Sequence, residues 1–466
     1  MRICRKAFIT LLMTVAALSA LNYASVSAAS SETDGAMAAS VYFDAAAGGS
    51  EQQNLIKLRD GKTYTSVTLV GDTHIVFQAQ EPVSRIYIML DKPGKWSVTL
   101  PDGRVLESGE YGFIHELADF GTKTDRFEMD ISAGSRVAEI FAFTDGGLPD
   151  WVQIWEPPCE NADLLVLPTH ADDEFLWFGG VLPYYAGELG YEVQVVYLTN
   201  HYNMAIREHE RLNGLWAVGV RHYPIVGEQF TDLDKTKKYD AAVETFGYQN
   251  VLAFQVEMLR RFHPRVVVAH DIKGEYGHGA HILNARTLLE ALEMTGDPDA
   301  FPQSAKEYGV CKVQKCYLHL WEENRITVKW NRLKLEKFGG RSALEMARLG
   351  FEKHQTQTAF YEVKDIGLCD CRIFGLAYTN VGYDTPDTND MFEHVDWSKP
   401  VREVPPSDTG KADVSGTDAV SPADLSQGTQ KKSALLPVLL IAAALVIGTA
   451  AAVLVPVLKK QKKLKA

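Results

Sequence analysis

From residue 40 to about 155 the apolar positions come in short bursts. "YTSVTLV", "HIVFQAQ", "RIYIML", "WSVTL", "RFEMDIS" and "VAEIFAF" are rich in β-branched and aromatic residues, and turn signals such as "DKPGK" and "PDG" separate several of them. That rhythm predicts a β-rich domain over residues 40–155, arranged as a β-sandwich or jelly roll. Its role is open between a structural module and a glycan-binding one, because no segment in it is a binding motif. From residue 156 the pattern changes. "DLLVLPT", "EVQVVYLT" and "RVVVAH" are continuous apolar runs, as parallel strands covered on both faces require. "GGVLPYYAGELG" between the first two fits a helix closing at Gly190, and "AIREHERLNGLWAVGV" and "VLAFQVEMLRRFHP" are helical in period. Strands alternating with helices predict an α/β fold over residues 156–398: a Rossmann-like, doubly wound parallel sheet whose ligands sit beyond the carboxyl ends of its strands.

The ends of the chain carry other signals. Arg2, Arg5 and Lys6 precede an apolar stretch, and Val26-Ser27-Ala28 offers a small-residue cleavage site. Residues 1–28 therefore read as a secretory signal peptide. Residues 399–432 turn to Pro, Ser, Asp, Thr and Gly, the composition of a flexible linker. The uncharged run within 433–458 exceeds the ~20 residues that cross a hydrocarbon core. A lysine-rich tail, residues 459–466, follows at once and predicts a cytoplasmic C-terminus. The expected topology is a single-pass cell-membrane protein with its N-terminal ectodomain outside the cytoplasm.

Charge narrows the partners. The formal net charge is −13. Without the three positive charges of the signal and the seven lysines from Lys431 onward, residues 29–430 carry −23. So acidic a body excludes nucleic acid as a partner and leaves the C-terminal helix as the contact with the membrane. Beyond Cys4 there are five cysteines, Cys159, Cys311, Cys316, Cys369 and Cys371. An odd set leaves at least one unpaired in an oxidising compartment. A bridge from Cys369 or Cys371 to Cys311 or Cys316 is open on spacing alone.

The candidate chemistry lies at two strand ends. "LLVLPTHADDEF" crowds His170, Asp172, Asp173 and Glu174 directly after the first parallel strand. One reading is a helix start, with Thr169 as N-cap and the acids favoured by the helix dipole. The other is a metal site. The third strand ends in "HDIKGEYGHGAHILNAR", where His278 and His281 lie three apart and His270 and Asp271 stand at the strand end. An HxxH pair alone is weak; what raises it is that both clusters follow parallel strands of one sheet and can converge. Catalytic zinc takes three N/O ligands and keeps one position open. His170, Asp173 and His281 supply two imidazoles and a carboxylate, and Asp172 stands next to them as a proton acceptor.

These motifs resemble the PIG-L/LmbE-like superfamily of zinc-dependent N-acetylglucosaminyl deacetylases. The family's HPDDE stands here as "HADDE" after a strand, and its YGHPDH as "YGHGAH". "REHE", "EKHQTQ" and "FGLAYTNVGYDTPDTNDMFEHV" are further echoes, so that the resemblance covers about residues 160–396. It implies Zn²⁺, or another divalent transition metal, on His170, Asp173 and His281, with Asp172 as general base. It gives His278 the task of stabilising the oxyanion or protonating the leaving amine, and Tyr276 that of polarising the carbonyl. Arg207 and Asp232 fall where substrate-contacting residues lie, and Glu174 is left to support the fold. His354 and Gln357 match the family or stabilise a helix end, and Trp177 and Trp216 read as core aromatics.

Two departures matter. Ala171 replaces a proline. Ala280 replaces an acid that in some relatives orients the catalytic histidine, a place Asp271 could fill. The function expected is removal of acetyl from an N-acetylated amino sugar in a surface or wall glycoconjugate of a bacterium. The alternatives are a glycan-binding surface protein with the same fold and little or no turnover, or a metal-dependent amidase of another substrate class.

Overall fold

The computed structural model of the chain describes residues 37–48 and 54–398. The signal peptide, the linker, the membrane helix over 433–458 and the basic tail all lie outside the described residues. Among the described residues no helix is long and apolar enough to cross a membrane.

The β-rich region is organised by three strands: β1 (Thr73–Lys92), β2 (His115–Ile131) and β3 (Arg136–Phe143). β1 pairs antiparallel with β2 along most of its length and with β3 along its second half. With five shorter strands they form one hydrogen-bonded network of eight antiparallel strands, where the sequence reading expected a sandwich or jelly roll. The two halves of β1 differ in burial. Ile75, Phe77 and Ala79 alternate with exposed His74 and Gln78, whereas Ile86 to Leu90 are buried on both faces. The first half is a sheet with one wet face. In the second half the other face is buried too, where Tyr87 and Met89 pack with Phe143 and Val152. The register slips between Gln78 and Arg85, so the bulge there separates the two regimes.

The second sheet has seven strands and carries the candidate site. In chain order its elements are β4 (Leu164–Leu167), α1 (Asp173–Leu176), β5 (Val193–Tyr197), α2 (Ala205–Ala217), β6 (Ile225–Val226), α3 (Tyr239–Phe246), α4 (Tyr248–Phe262), β7 (Val266–Ala269), α5 (Gly279–Met294), α6 (Pro302–Tyr308), β8 (Lys315–His319), β9 (Arg325–Thr327), α7 (Ala343–Phe351) and β10 (Ile373–Thr379). The strand order is β6-β5-β4-β7-β8-β10-β9. Its first five members are parallel, and β10 and β9 add an antiparallel edge that the sequence reading did not anticipate. The apolar runs are explained by double cover. Leu164 and Val166 pack with Phe175 and Phe178 on one face, while Leu165 and Leu167 pack with Leu252 and Val256 on the other.

The helices end where local chemistry says they should. α4 stops at His263, which turns left-handed (φ 44°), and Pro264 blocks continuation. α7 opens on a capping box between Ser342 and Glu345, worth about 1 kcal/mol. The segment predicted to close at Gly190 does so, with Gly190 at φ 69°, but over Pro183–Glu188 it is wound as a π-helix. The possible disulfide is not formed: no disulfide joins the cysteines among the described residues.

β4 and β7 are parallel neighbours, Leu164 opposite Val266 and Leu167 opposite Ala269. The chain leaves β4 toward β5 on one side, while β7 opens the other half of the sheet. This is the topological switch point, where an open α/β sheet leaves a crevice at its carboxyl edge. Both motif-bearing loops start there.

Candidate metal centre

The loop after β4 presents His170, and α1 begins with Asp173; the loop after β7 runs into α5, whose first turn carries His281. Three atoms meet. His170 Nδ1 lies 3.0 Å from His281 Nε2 and 3.1 Å from Asp173 Oδ2, and His281 Nε2 lies 3.3 Å from the same oxygen. Two ring nitrogens and a carboxylate oxygen thus face one small space, as the ligands of a cation do. Tetrahedral zinc with ligands at 2.0–2.1 Å sets them about 3.3 Å apart, so the donor set fits a divalent metal in identity and in spacing.

Two other groupings are close enough to consider, His170–His278–His281 and Asp173–His270–His281. The second is weakened by His270 itself. Its Nε2 accepts the Thr169 backbone N–H at 2.9 Å and its Nδ1 donates to Glu275 Oε2 at 2.7 Å. No lone pair remains for a metal. In the first grouping, His278 Nδ1 has no hydrogen-bond partner. Burial, with His170 and His281 beside it, pushes His278 down to about 2, so its ring is neutral.

Asp173 is held from several sides. Its Oδ1 accepts the Trp177 indole N–H at 2.7 Å, and its Oδ2 accepts the His170 backbone N–H at 2.7 Å. Burial opposes its ionisation, but the neighbouring rings of His281, His270 and His170 hold its carboxyl well below the usual range. Trp177 is thus core, as read, and also a donor to the centre.

Asp172 adopts φ 118°, a conformation that side chains other than glycine rarely hold. What holds it is Glu174, whose Oε2 accepts the Asp172 backbone N–H at 2.8 Å while Oε1 meets His354 Nε2 at 3.0 Å. The Asp172 carboxylate turns to Arg207, 3.0 Å away. Burial raises Asp172 well above the usual carboxylate range; Arg207 opposes this, and the neighbouring Asp173 and Glu174 add to it. The helix-start reading survives only in part. α1 is a single turn whose N-cap is Asp172, with no side-chain cap, while Thr169 is fully buried and accepts from Asn284.

The remaining expected residues line one cleft of about 450 Å³ together with the centre. Tyr276, left-handed at φ 46° and exposed, stands at its mouth near Trp177 and Tyr361. Arg207 donates to the Ala171 carbonyl as well as to Asp172. Asp232 lies 3.6 Å from His170 Nε2 and 3.4 Å from His201 Nδ1. Burial works against its charge, but His170, His201 and Arg207 hold Asp232 below the ordinary range. Both residues therefore brace the centre from the cleft side. Asp271 does not fill the place left by Ala280: it accepts the Lys273 backbone N–H, and Ala280 is buried in the apolar core.

Sequence reasoning missed three participants. Glu275 accepts from His270, His281 and the Asp271 backbone and meets His319 at 2.9 Å. His201 accepts the Ala171 backbone N–H, and His319 closes β8. Their shared signal is position, since each stands at or just beyond the carboxyl end of a parallel strand.

Residues 164–292 match the PIG-L family, described as GlcNAc-PI de-N-acetylase. The chain is 27% identical over 180 residues to the 1D-myo-inositol 2-acetamido-2-deoxy-alpha-D-glucopyranoside deacetylase 1 of Catenulispora acidiphila, covering 34% of this chain and 56% of that protein. It is 30% identical over 173 residues to deacetylase 2 of the same description from Saccharopolyspora erythraea, covering 32% and 63%. The chain thus spans between half and two thirds of the length of these relatives. Among solved structures, N,N'-diacetylchitobiose deacetylase from Pyrococcus horikoshii aligns at 18% identity over 43% of this chain and 72% of that one, with a TM-score of 0.33.

Proposed function

We propose that this chain, whose residues 164–292 form a PIG-L domain, is a metal-dependent hydrolase that removes acetyl from an N-acetylglucosamine-type amino sugar. The observation that carries the proposal is the convergence of His170 Nδ1, Asp173 Oδ2 and His281 Nε2 within 3.0–3.3 Å beside a buried Asp172, at the floor of an open cleft. The names of the two curated relatives support the substrate class.

His170, Asp173 and His281 would hold the metal, with zinc the expected ion. Bound there, it supplies Lewis acidity toward an amide carbonyl and makes water a nucleophile near neutral pH. The protein's own groups do the rest. Asp172 takes the proton of the attacking water, and its raised affinity for protons suits a base that must also give the proton up. Arg207 fixes the direction of that carboxylate. Neutral His278 and Tyr276 stand on the cleft side, where the carbonyl oxygen and the leaving nitrogen must lie. The membrane-anchored, extracytoplasmic placement belongs to the same proposal and rests on residues 1–28 and 433–466 of the sequence.

One observation favours a second reading, a glycan-binding protein with weak or no turnover. His278 Nδ1 has no partner, and Ala280 supplies none. The test that separates the two is incubation of the full-length protein with zinc and a panel of N-acetylated amino sugars, with detection of released acetate. Release is expected. Sugar binding without any acetate would overturn the hydrolase reading in favour of the second.

A further inference from the structure

The acid that the motif comparison leads one to expect at position 280, behind His278, is absent. A carboxylate stands instead behind the other histidine of the pair. Glu275 is 3% exposed, in the turn that leads from β7 to α5. Its Oε2 accepts from His281 Nδ1 at 2.8 Å and from His270 Nδ1 at 2.7 Å. Its Oε1 accepts the Asp271 backbone N–H at 3.1 Å and from His319 Nδ1 at 2.9 Å. His319 is anchored at its far side, where Nε2 lies 3.1 Å from the Asp370 carbonyl.

The consequences follow from which nitrogen carries the proton. A neutral imidazole has one donor and one acceptor. With Nδ1–H committed to Glu275, His281 must turn its Nε2 lone pair toward His170 and Asp173. The same carboxylate acts on the other half of the centre by a second route. It commits His270 to donating from Nδ1, so that His270 Nε2 accepts the Thr169 N–H. Thr169 is the residue before His170. The two rings that Glu275 holds are stacked at 4.1 Å and 19°, so their orientations are set together.

We propose that Glu275 is the positioning residue of the metal centre: one buried carboxylate that fixes the tautomer of His281 directly and the placement of His170 through His270 and the Thr169 backbone. It touches no part of the cleft and takes no proton in the reaction. Its effect is on metal affinity, because a carboxylate behind a ligating histidine orients the ring and raises its basicity. The inference rests on the metal-centre reading above.

The test uses the full-length protein, stripped with chelator and titrated with Zn²⁺ against a competing chelator dye, with the thermal midpoint of the metal-free protein measured alongside. In Glu275→Gln the amide oxygen still accepts from both rings, while the amide nitrogen faces His319 and the Asp271 N–H, so the size is kept, one backbone hydrogen bond is given up and the charge is lost. The zinc dissociation constant should rise about 10- to 100-fold, while the metal-free midpoint moves little. Glu275→Asp keeps the charge but draws it back by one methylene, and should fall between wild type and Gln. A folded Gln or Asp variant with the wild-type zinc constant would overturn the inference alone. Failure of both variants to fold would also overturn it, by making Glu275 a residue of the fold. If the wild-type protein bound no zinc, the metal-centre reading would fall and this inference with it.

Discussion

Asp172→Asn tests the chemistry with the least disturbance to its surroundings. The change keeps the size and planarity of the side chain. Asparagine accepts positive φ as readily as aspartate does, so the backbone at φ 118° is retained, as is the N–H bond to Glu174. The disturbance is confined to Arg207. It loses a charged acceptor at 3.0 Å but keeps the Ala171 carbonyl, Asp232 at 3.8 Å and the amide oxygen itself. A hydrogen bond to a charged group contributes about 1.5–3 kcal/mol. Relief of a buried carboxylate that already resists ionisation offsets part of this. The stability loss should therefore be about 1–2 kcal/mol, too small to unfold a domain of ordinary stability. Turnover should fall about 10²- to 10⁴-fold, the usual share of general acid–base catalysis, or roughly 3–5 kcal/mol in the barrier. Bound zinc should stay at the wild-type level. Asp173→Asn is the contrast, because Asp173 Oδ2 is the atom that faces both ring nitrogens, and there the metal itself should be lost. Acetate release, metal analysis and thermal midpoint on both variants give the answer. Wild-type turnover in Asp172→Asn would refute its role as base. Metal lost from Asp172→Asn but kept in Asp173→Asn would refute the ligand assignment.

Two further outcomes are expected. His115 of β2 contacts His209 of α2 at 2.8 Å, and burial together with His209 pushes His115 well below the ordinary histidine value. The folded protein therefore keeps it neutral while the unfolded chain protonates it near pH 6.5. Its contribution to stability is present above that pH and is lost as the pH falls, at up to about 1.4 kcal/mol per unit. Thermal midpoints at pH 7.5 and 5.5 should drop more for wild type than for His115→Gln, and an equal drop would refute the assignment. For the proposed topology, protease added to intact cells should remove residues 29–430; complete protection without lysis would count against it.

How much of this was legible beforehand depends on the range of the signal. Apolar runs at 164–167, 193–197 and 266–269, interrupted only by Gln194, identify buried parallel strands, because double cover disfavours polar side chains on either face. Once those strands are placed, the rule that ligands gather at their carboxyl ends points to His170, Asp173 and His281 before any coordinate is known. Periodicity is local, however. It does not say which strands are neighbours, and only the pairing of β4 with β7 brings the two loops within 3.3 Å.

The partners behind the site were not legible for the same reason. Glu174 meets His354 across 180 positions and Glu275 meets His319 across 44, and nothing in the spacing of such residues marks the pair. Two quite different positions therefore look alike in the sequence. Asp271 and Glu275 are both acids in one loop after β7, yet the fold turns Asp271 to a local backbone N–H and Glu275 into the middle of three histidines. The sequence by itself determined the strand type, the edge at which chemistry gathers and the residue types of the candidate site. The tertiary structure alone decided which carboxylate stands behind which histidine, because that choice is made by side-chain burial between distant segments and not by any pattern along the chain.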